Sequence, residues 1–294
     1  MNMNLAIYGR AFTADCSAQV NALIALLRER RIDFSMFAPF YDFLCRSYAM
    51  TIPRVPLFTE LPPAATDCLL SIGGDGTFLG SLQHVRNSGI PVAGINCGRL
   101  GFLSAASFDE LPEAIDALIR KRYTIEDRTL LEVRCDDLPD TIYPYALNEV
   151  GVQRHTPAMI NIHIRLNADL LPAYWADGLL VATPTGSTAY SMSVGGPILV
   201  PQSKSFVLSP ISPHNLSIRS LVITDDTVVT LMVETRHTTA FLTIDNQLVE
   251  IPSGAQFIVR KAAFTVRIVR FHGAKFFDTI REKLSWGKDY RNPY

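Results

Sequence analysis

Gly73-Gly74-Asp75-Gly76-Thr77-Phe78-Leu79 is the stretch that decides the fold of this chain. An apolar run, Cys68-Leu69-Leu70-Ser71-Ile72, precedes it, with the length and composition of a buried strand. Apolar residues at Phe78, Leu79, Leu82 and Val85 then recur at helical spacing until Asn87-Ser88-Gly89. Strand, glycine-rich turn and helix in this order leave backbone N–H groups without intrahelical acceptors. That makes an anion site, and phosphate is its usual occupant. Glycines let the backbone approach a ligand closely and adopt positive φ. Asp75 is the odd member, because a carboxylate repels phosphate. Such a residue takes a proton, holds a metal or caps the helix, and the residues alone leave all three open.

Two common phosphate loops are excluded. A Walker A loop needs Gly-Lys-Ser/Thr, and the single Gly-Lys here, Gly287-Lys288, is followed by Asp289. The Rossmann fingerprint fails at Leu79, where it needs glycine. Gly-Gly-Asp-Gly-Thr instead resembles the signature of a kinase superfamily that includes NAD kinases, diacylglycerol-type lipid kinases and ATP-dependent phosphofructokinases. These five residues do not choose among them.

Around the loop, strands and helices alternate. Leu5-Ala6-Ile7-Tyr8 reads as a strand, followed by a helix through Val20, Leu23, Ile24 and Leu27. Phe34-Ser35-Met36-Phe37 and Val92-Ala93-Gly94-Ile95 read as further strands, with helices over Ala38 to Met50 and Phe108 to Lys121. This pattern predicts a parallel sheet with ligands at the carboxyl ends of its strands, where Gly73 to Thr77 and Asn96 to Phe102 both fall. Later the period changes to two: Leu130 to Arg134, Ile160 to Ile164, Val228 to Val233, Ala240 to Ile244, Phe257 to Val259 and Thr265 to Phe271 are strand-like. Phe276, Phe277, Ile280 and Leu284 then share a helical face. The expected architecture is an α/β N-terminal domain with a parallel sheet over residues 1–123 and an all-β C-terminal domain over 124–272. A C-terminal helix over 273–294 is expected to pack back on the first domain.

Composition narrows the class. A net charge of −1 across 294 residues implies no general polyanion surface, so no nucleic-acid partner is expected. The five cysteines (Cys16, Cys45, Cys68, Cys97, Cys135) are odd in number and lack CxxC spacing. They argue against a disulfide framework or zinc site and for a reducing compartment. No apolar run approaches the ~20 residues of a membrane span, so no membrane partner is expected. Met1-Asn2-Met3-Asn4 has no signal-peptide character. A cytoplasmic globular protein is the expectation.

The second half holds two more constellations. Thr183-Pro184-Thr185-Gly186-Ser187-Thr188-Ala189-Tyr190-Ser191-Met192-Ser193 leads into Val194-Gly195-Gly196-Pro197. It reads either as a polar loop or as a ligand loop whose small residues admit a flat ring beside Tyr190. Asn148-Glu149 lies between strand-like residues. Its side chains are either merely solvated or suited to a nucleoside, since an Asn amide can pair with an adenine edge and a carboxylate can accept from ribose hydroxyls.

Taken in order, Gly-Gly-Asp-Gly-Thr, Asn148-Glu149, Asp177-Gly178 and the Thr183 to Pro197 tract closely resemble the NAD kinases. The likeness extends to Gly94 through Leu103, Asp127-Arg128 through Glu132, and Pro213 to Arg219. It implies a two-domain kinase that uses ATP to phosphorylate the 2′-hydroxyl of the adenosine ribose of NAD. It makes Asp75 the proton acceptor and Gly73, Gly74, Gly76 and Thr77 the phosphate loop. Around the dinucleotide it places Asp75, Gly76, Asn148, Glu149, Trp175, Asp177, Thr188, Ala189, Tyr190, Ser193 and Gln247. It also implies a divalent cation, usually magnesium arriving with the nucleotide and assigned to no residue of the chain, and a homodimer or homotetramer. A lipid kinase is disfavoured because no basic amphipathic segment stands out, and a non-catalytic dinucleotide sensor would not need Asp75. The chain departs from many members at Trp175, Gly80 and Ala158, where they carry basic residues. Arg154 and Arg99 are the substitutes the sequence offers.

Overall fold

The computed structural model describes residues 3–12, 16–98, 101–271 and 276–286. Two compact units divide the chain: residues up to Asp127 and from Val266 onward form one, and Arg128–Thr265 form the other. The divisions therefore fall a few residues inside the 123 and 272 read from the pattern.

The first unit is a parallel sheet of β1 (Asn4–Gly9), β2 (Asp33–Phe37), β3 (Leu57–Phe58), β4 (Cys68–Ile72), β5 (Val92–Asn96) and β6 (Ala106–Ser107). Its order is β3-β2-β1-β4-β5, with β6 beside β5. Helices α1 (Ser17–Glu29), α2 (Ala38–Tyr48), α3 (Asp75–Val85) and α4 (Leu111–Ile119) connect the strands. Every residue of β4 and β5 is buried, which explains their unbroken apolar runs. The helices bury one stripe each, such as Val20, Leu23, Ile24 and Leu27 on α1. Each such side chain contributes about 1.5–3 kcal/mol by leaving water. From β1 the chain moves outward through β2 and β3, then returns to the other side of β1 with β4. The carboxyl ends of β1 and β4 thus form the switch point of the sheet, where open α/β folds bind ligands.

The second unit is antiparallel. It uses β7 (Tyr123–Cys135), β8 (Tyr145–Ala146), β9 (Glu149–Arg154), β10 (Ile160–Leu166), β11 (Asp169–Leu170), β12 (Tyr174–Ala176) and β13 (Gly178–Ala182). After the four-residue helix α5 (Tyr190–Ser193) come β14 (Ser205–Ile211), β15 (Leu221–Thr224), β16 (Val229–Glu234), β17 (Thr239–Ile244), β18 (Gln247–Pro252) and β19 (Gln256–Phe271). One sheet runs β15-β14-β13-β9-β17-β18; in the other, β10 pairs with β11, β12 and β16, and β16 pairs with the start of β19. Inward residues of both, among them Val150, Val152, Leu179, Ile162, Ile164 and Leu231, share one core. The period-two pattern is this burial: β10 alternates buried isoleucines with Asn161 and His163.

The two strands read at Phe257 to Val259 and Thr265 to Phe271 are one strand of 16 residues. Nothing between them turns the chain, since Arg260 to Phe264 contains neither Gly nor Pro. Its early residues belong to the second unit, and Ile268 pairs in parallel with Val92 of the first. The last described element is α6 (Phe276–Leu284), grouped with the first unit, with Ile280 buried. Among the described residues no helix is long and apolar enough to cross a membrane.

Candidate active site

The turn after β4 leaves N–H groups open as the sequence suggests. Gly73 has φ 146°, and a Cβ there would lie 2.5 Å from Thr77 Oγ1, so a side chain is doubly excluded. Gly74 is the N-cap residue, and its carbonyl accepts from Thr77 N and Phe78 N, each at 3.0 Å. The N–H groups of Gly74, Asp75 and Gly76 meet no backbone acceptor among the described residues. A Cβ on Gly74 or Gly76 would have no heavy atom within 4 Å, so the turn is uncrowded on that side. Donors arrayed this way at a helix start favour phosphate.

Asp75 is the first residue of α3, and its carboxylate does not cap that helix. Oδ2 accepts from Phe102 N at 2.9 Å and Oδ1 from Leu103 N at 3.2 Å. The capping alternative therefore gives way to a carboxylate held by the loop that follows β5. Each oxygen keeps a lone pair beyond these bonds, so the group can still receive a proton from a hydroxyl.

In the second unit, Asn148 and Glu149 stand where β9 begins, half-buried rather than solvated. Asp245, in the turn between β17 and β18, gathers the backbone of this segment. Leu147 N donates to Oδ2 at 2.8 Å, while Asn148 N and Glu149 N donate to Oδ1 at 2.8 and 3.1 Å. Burial pushes the Asp245 carboxyl up to about 6, even though these three donors oppose the shift. Glu149 is pushed up to about 8, by burial first and the Asp245 charge second. Its Oε2 is buried without a hydrogen-bond partner. Leaving such an atom unpaired costs about 1–3 kcal/mol, which a bound hydroxyl would relieve.

The Thr183 to Pro197 tract separates inward from outward hydroxyls. Thr183 Oγ1 donates to Leu147 O, Ser187 Oγ donates to Pro184 O, and Ser191 Oγ lies 2.9 Å from Ser209 Oγ; all three are buried. They tie the tract down, leaving Thr188 and Ala189 half-buried and Tyr190 and Ser193 exposed. Gly186 packs so closely on the preceding segment that a Cβ would lie 2.0 Å from Asn148 O. The tract and Asn148-Glu149 are thus one construction.

Other expected residues have different surroundings. Asp177, between β12 and β13, pairs with Arg154, Nε to Oδ1 at 3.0 Å. Arg154 is thus already engaged by a carboxylate, and Arg99 lies outside the described residues. Both ends of the Gln247 amide are engaged by one residue, its Oε1 accepting from Tyr143 N at 3.0 Å and its Nε2 donating to Tyr143 O at 2.9 Å. Trp175 is 52% exposed and meets His214 edge-on with centroids 6.3 Å apart. With Ala158, Met159, Asn161, Glu234 and Arg236 it lines a groove of about 480 Å³.

These features can be set beside known proteins. Residues 54–123 match the ATP-NAD kinase N-terminal domain and residues 147–271 the ATP-NAD kinase C-terminal domain. A Bacteroides fragilis protein named NAD kinase is 41% identical over 98% of this chain and 100% of its own length. The chain belongs to the NAD kinase family. The NAD kinase of Flavobacterium psychrophilum is 38% identical over 99% of this chain and all of its own. Among solved structures, yeast NADH kinase complexed with NADH has a TM-score of 0.85 at 25% identity, covering 100% of this chain and 90% of that one. An NAD kinase from Archaeoglobus fulgidus in complex with ATP gives 0.74 at 25%, covering 96% and 99%. The family is one of phosphotransferases. Sequence reading missed Asp245. Asp and Asn are the ordinary residues of a two-residue hairpin turn, and Asp245 has the positive φ of 51° such turns use, so nothing local marked its carboxylate.

Proposed function

We propose that this protein transfers the γ-phosphoryl group of ATP to the 2′-hydroxyl of the adenosine ribose of NAD, giving NADP and ADP. The observation that carries the proposal is the Asp75 carboxylate, held off its own helix by Phe102 N and Leu103 N and adjoining the open N–H groups of Gly74 to Gly76. The oxygen–phosphorus bond forms as the γ-phosphorus–β,γ-bridging oxygen bond breaks. The hydroxyl proton passes to Asp75, and ADP leaves. Gly74 and Gly76 bind phosphate through their backbone N–H groups, while Gly73 and Thr77, whose own N–H groups are given to Ile95 O and Gly74 O, shape the turn of the phosphate loop.

Asn148 and Glu149 take the adenosine, with the unpaired Glu149 Oε2 offered to a ribose hydroxyl. Thr188, Ala189, Tyr190 and Ser193 supply the outward face of the tract, Asp177 and Gln247 fix its surroundings, and Trp175 lines the nicotinamide end. Magnesium fits as a companion of the nucleotide. Among the described residues no three His, Cys, Asp or Glu side chains gather to hold an ion, so triphosphate oxygens and water would be its main ligands, with Asp75 the carboxylate of the loop. When bound it supplies charge neutralisation on the phosphates. The protein works as a homodimer or homotetramer in the cytoplasm, for which five free thiols are suited.

Incubating the purified protein with NAD, ATP and magnesium should yield NADP, read by an NADP-specific dehydrogenase. No NADP with ATP or any other phosphoryl donor would sink the reading. Light scattering should give a mass of two or four chains, and a fully active monomer at micromolar concentration would refute the assembly.

A further inference from the structure

We infer that Arg10 is a phosphate-binding residue of the nucleotide donor, with Gly80 shaped as its seat. The inference rests on the kinase reading above and names a group that the motif does not contain. Three placements support it. The first is register: Gly9 of β1 pairs with Ile72 of β4, so the next residues, Arg10 and Gly73, leave the sheet side by side at its switch point. Arg10 therefore departs from the strand end beside the phosphate loop, although 63 residues separate the two in sequence.

The second placement is the guanidinium itself. A Cβ on Gly80 would lie 2.3 Å from Arg10 Nη2 and 2.7 Å from its Cζ. Arg10 thus occupies the volume where residue 80 would carry a side chain. Gly80 and Gly76 are four residues apart on α3 and share a face of the helix. The positive charge sits about one turn beyond the open donors of Gly74 to Gly76. There it flanks the path of a phosphate chain whose near end those donors hold.

The third placement is anchorage. Arg10 Nε donates to Tyr8 Oη at 3.1 Å. The Tyr8 ring is fixed between Phe37, at 4.9 Å between centroids, and the buried His84, at 5.0 Å. The arm is held from below while the residue as a whole is exposed. A guanidinium held this way loses little freedom on binding phosphate.

The test uses the full chain and four variants: Arg10→Ala, Arg10→Gln, Gly80→Arg, and Arg10→Ala combined with Gly80→Arg. Calorimetry with ATP and magnesium reads donor affinity independently of turnover, and initial rates separate KM for ATP from KM for NAD. Loss of a charge-assisted contact predicts a roughly ten- to hundredfold weaker ATP affinity in Arg10→Ala and Arg10→Gln, with KM for NAD within about twofold of wild type. The double variant, with its cation returned from the helix side and Tyr8 Oη, 2.8 Å from the new Cβ, having to shift, should recover part of the loss, whereas Gly80→Arg alone drives a Cβ into the Arg10 guanidinium and should destabilise the fold. Folded Arg10→Ala and Arg10→Gln proteins with unchanged ATP affinity would overturn the inference, as would ATP and NAD constants that rise together. Normal ATP-linked effects in a protein that makes no NADP would instead refute the kinase reading and leave Arg10 a phosphate ligand.

Discussion

A methyl group on Gly101 would sit 1.8 Å from Asp75 Oδ1, so the loop bearing Phe102 N and Leu103 N closes on the carboxylate only because residue 101 has no side chain. Gly101→Ala must therefore open that loop or turn the carboxylate away. Overpacking of this kind costs about 1–3 kcal/mol. Thermal unfolding should show a loss of that size, and turnover should fall by more than stability explains. Unchanged turnover would mean that the two loop N–H groups do not position Asp75 for chemistry.

Asp75→Asn separates proton transfer from positioning. Asn keeps the shape but turns one oxygen into an N–H facing a loop N–H, losing a bond worth about 0.5–1.5 kcal/mol. Loss of a general base typically costs about 10²–10⁴ in rate, a far larger effect. Turnover should drop into that range while NAD affinity, measured calorimetrically, changes little. Near-normal turnover in the folded variant would leave positioning and metal charge to carry the reaction.

Glu149 gives a pH dependence with a definite sign. Its carboxyl is raised from 4.5 to about 8, so the folded protein holds that proton better than the unfolded chain does. The resulting stability is fully present below about pH 4.5 and is lost as pH rises through about 8. Asp245 acts in the same direction over a lower window, from 3.8 to about 6. Relative to Glu149→Gln, wild type should lose on the order of 3 kcal/mol of unfolding free energy between pH 5 and pH 9. Parallel denaturation curves for the two proteins at both pH values would contradict the buried, unpaired Oε2.

Trp175→Ala tests the groove on the second unit. Removing one aromatic contact is worth about 0.5–1.5 kcal/mol, or roughly two- to twelvefold in KM for NAD. Its 52% exposure and edge-on contact with His214 mean that the fold itself should tolerate the change. A KM that does not move would put Trp175 outside the binding site.

Much of the first unit is legible in the sequence because its elements are local. The apolar run into Gly73 and the spacing from Phe78 to Val85 specify strand, turn and helix without help from distant residues. Asp75 stands out in the sequence, yet the loop that holds its carboxylate does not, because Phe102 and Leu103 act through backbone N–H groups that carry no residue signature. Asp245 was hidden for the same reason. The engaged state of Arg154 and of Gln247 depends on Asp177 and Tyr143, partners brought close only by strand pairing. The continuous β19 was split because its middle, Arg260 to Phe264, lacks the apolar alternation that marks a half-buried strand, although the backbone there has nothing to break it.

The three amides that Asp245 gathers lie 96 to 98 residues before it in the chain. A contact of that span closes late during folding, since the entropy of a long loop is lost before the contact returns anything. On the ribosome, the segment from Leu147 to Glu149 emerges well before the carboxylate that orders it. Order in this segment should thus arrive with the β17–β18 hairpin rather than with β9, and the amides of residues 147–149 should gain protection from hydrogen exchange in step with that hairpin. Chains stalled before residue 245 should contain β9 and β13 but leave residues 147–149 without the carboxylate that orders them, which makes this hairpin a maturation checkpoint for that segment.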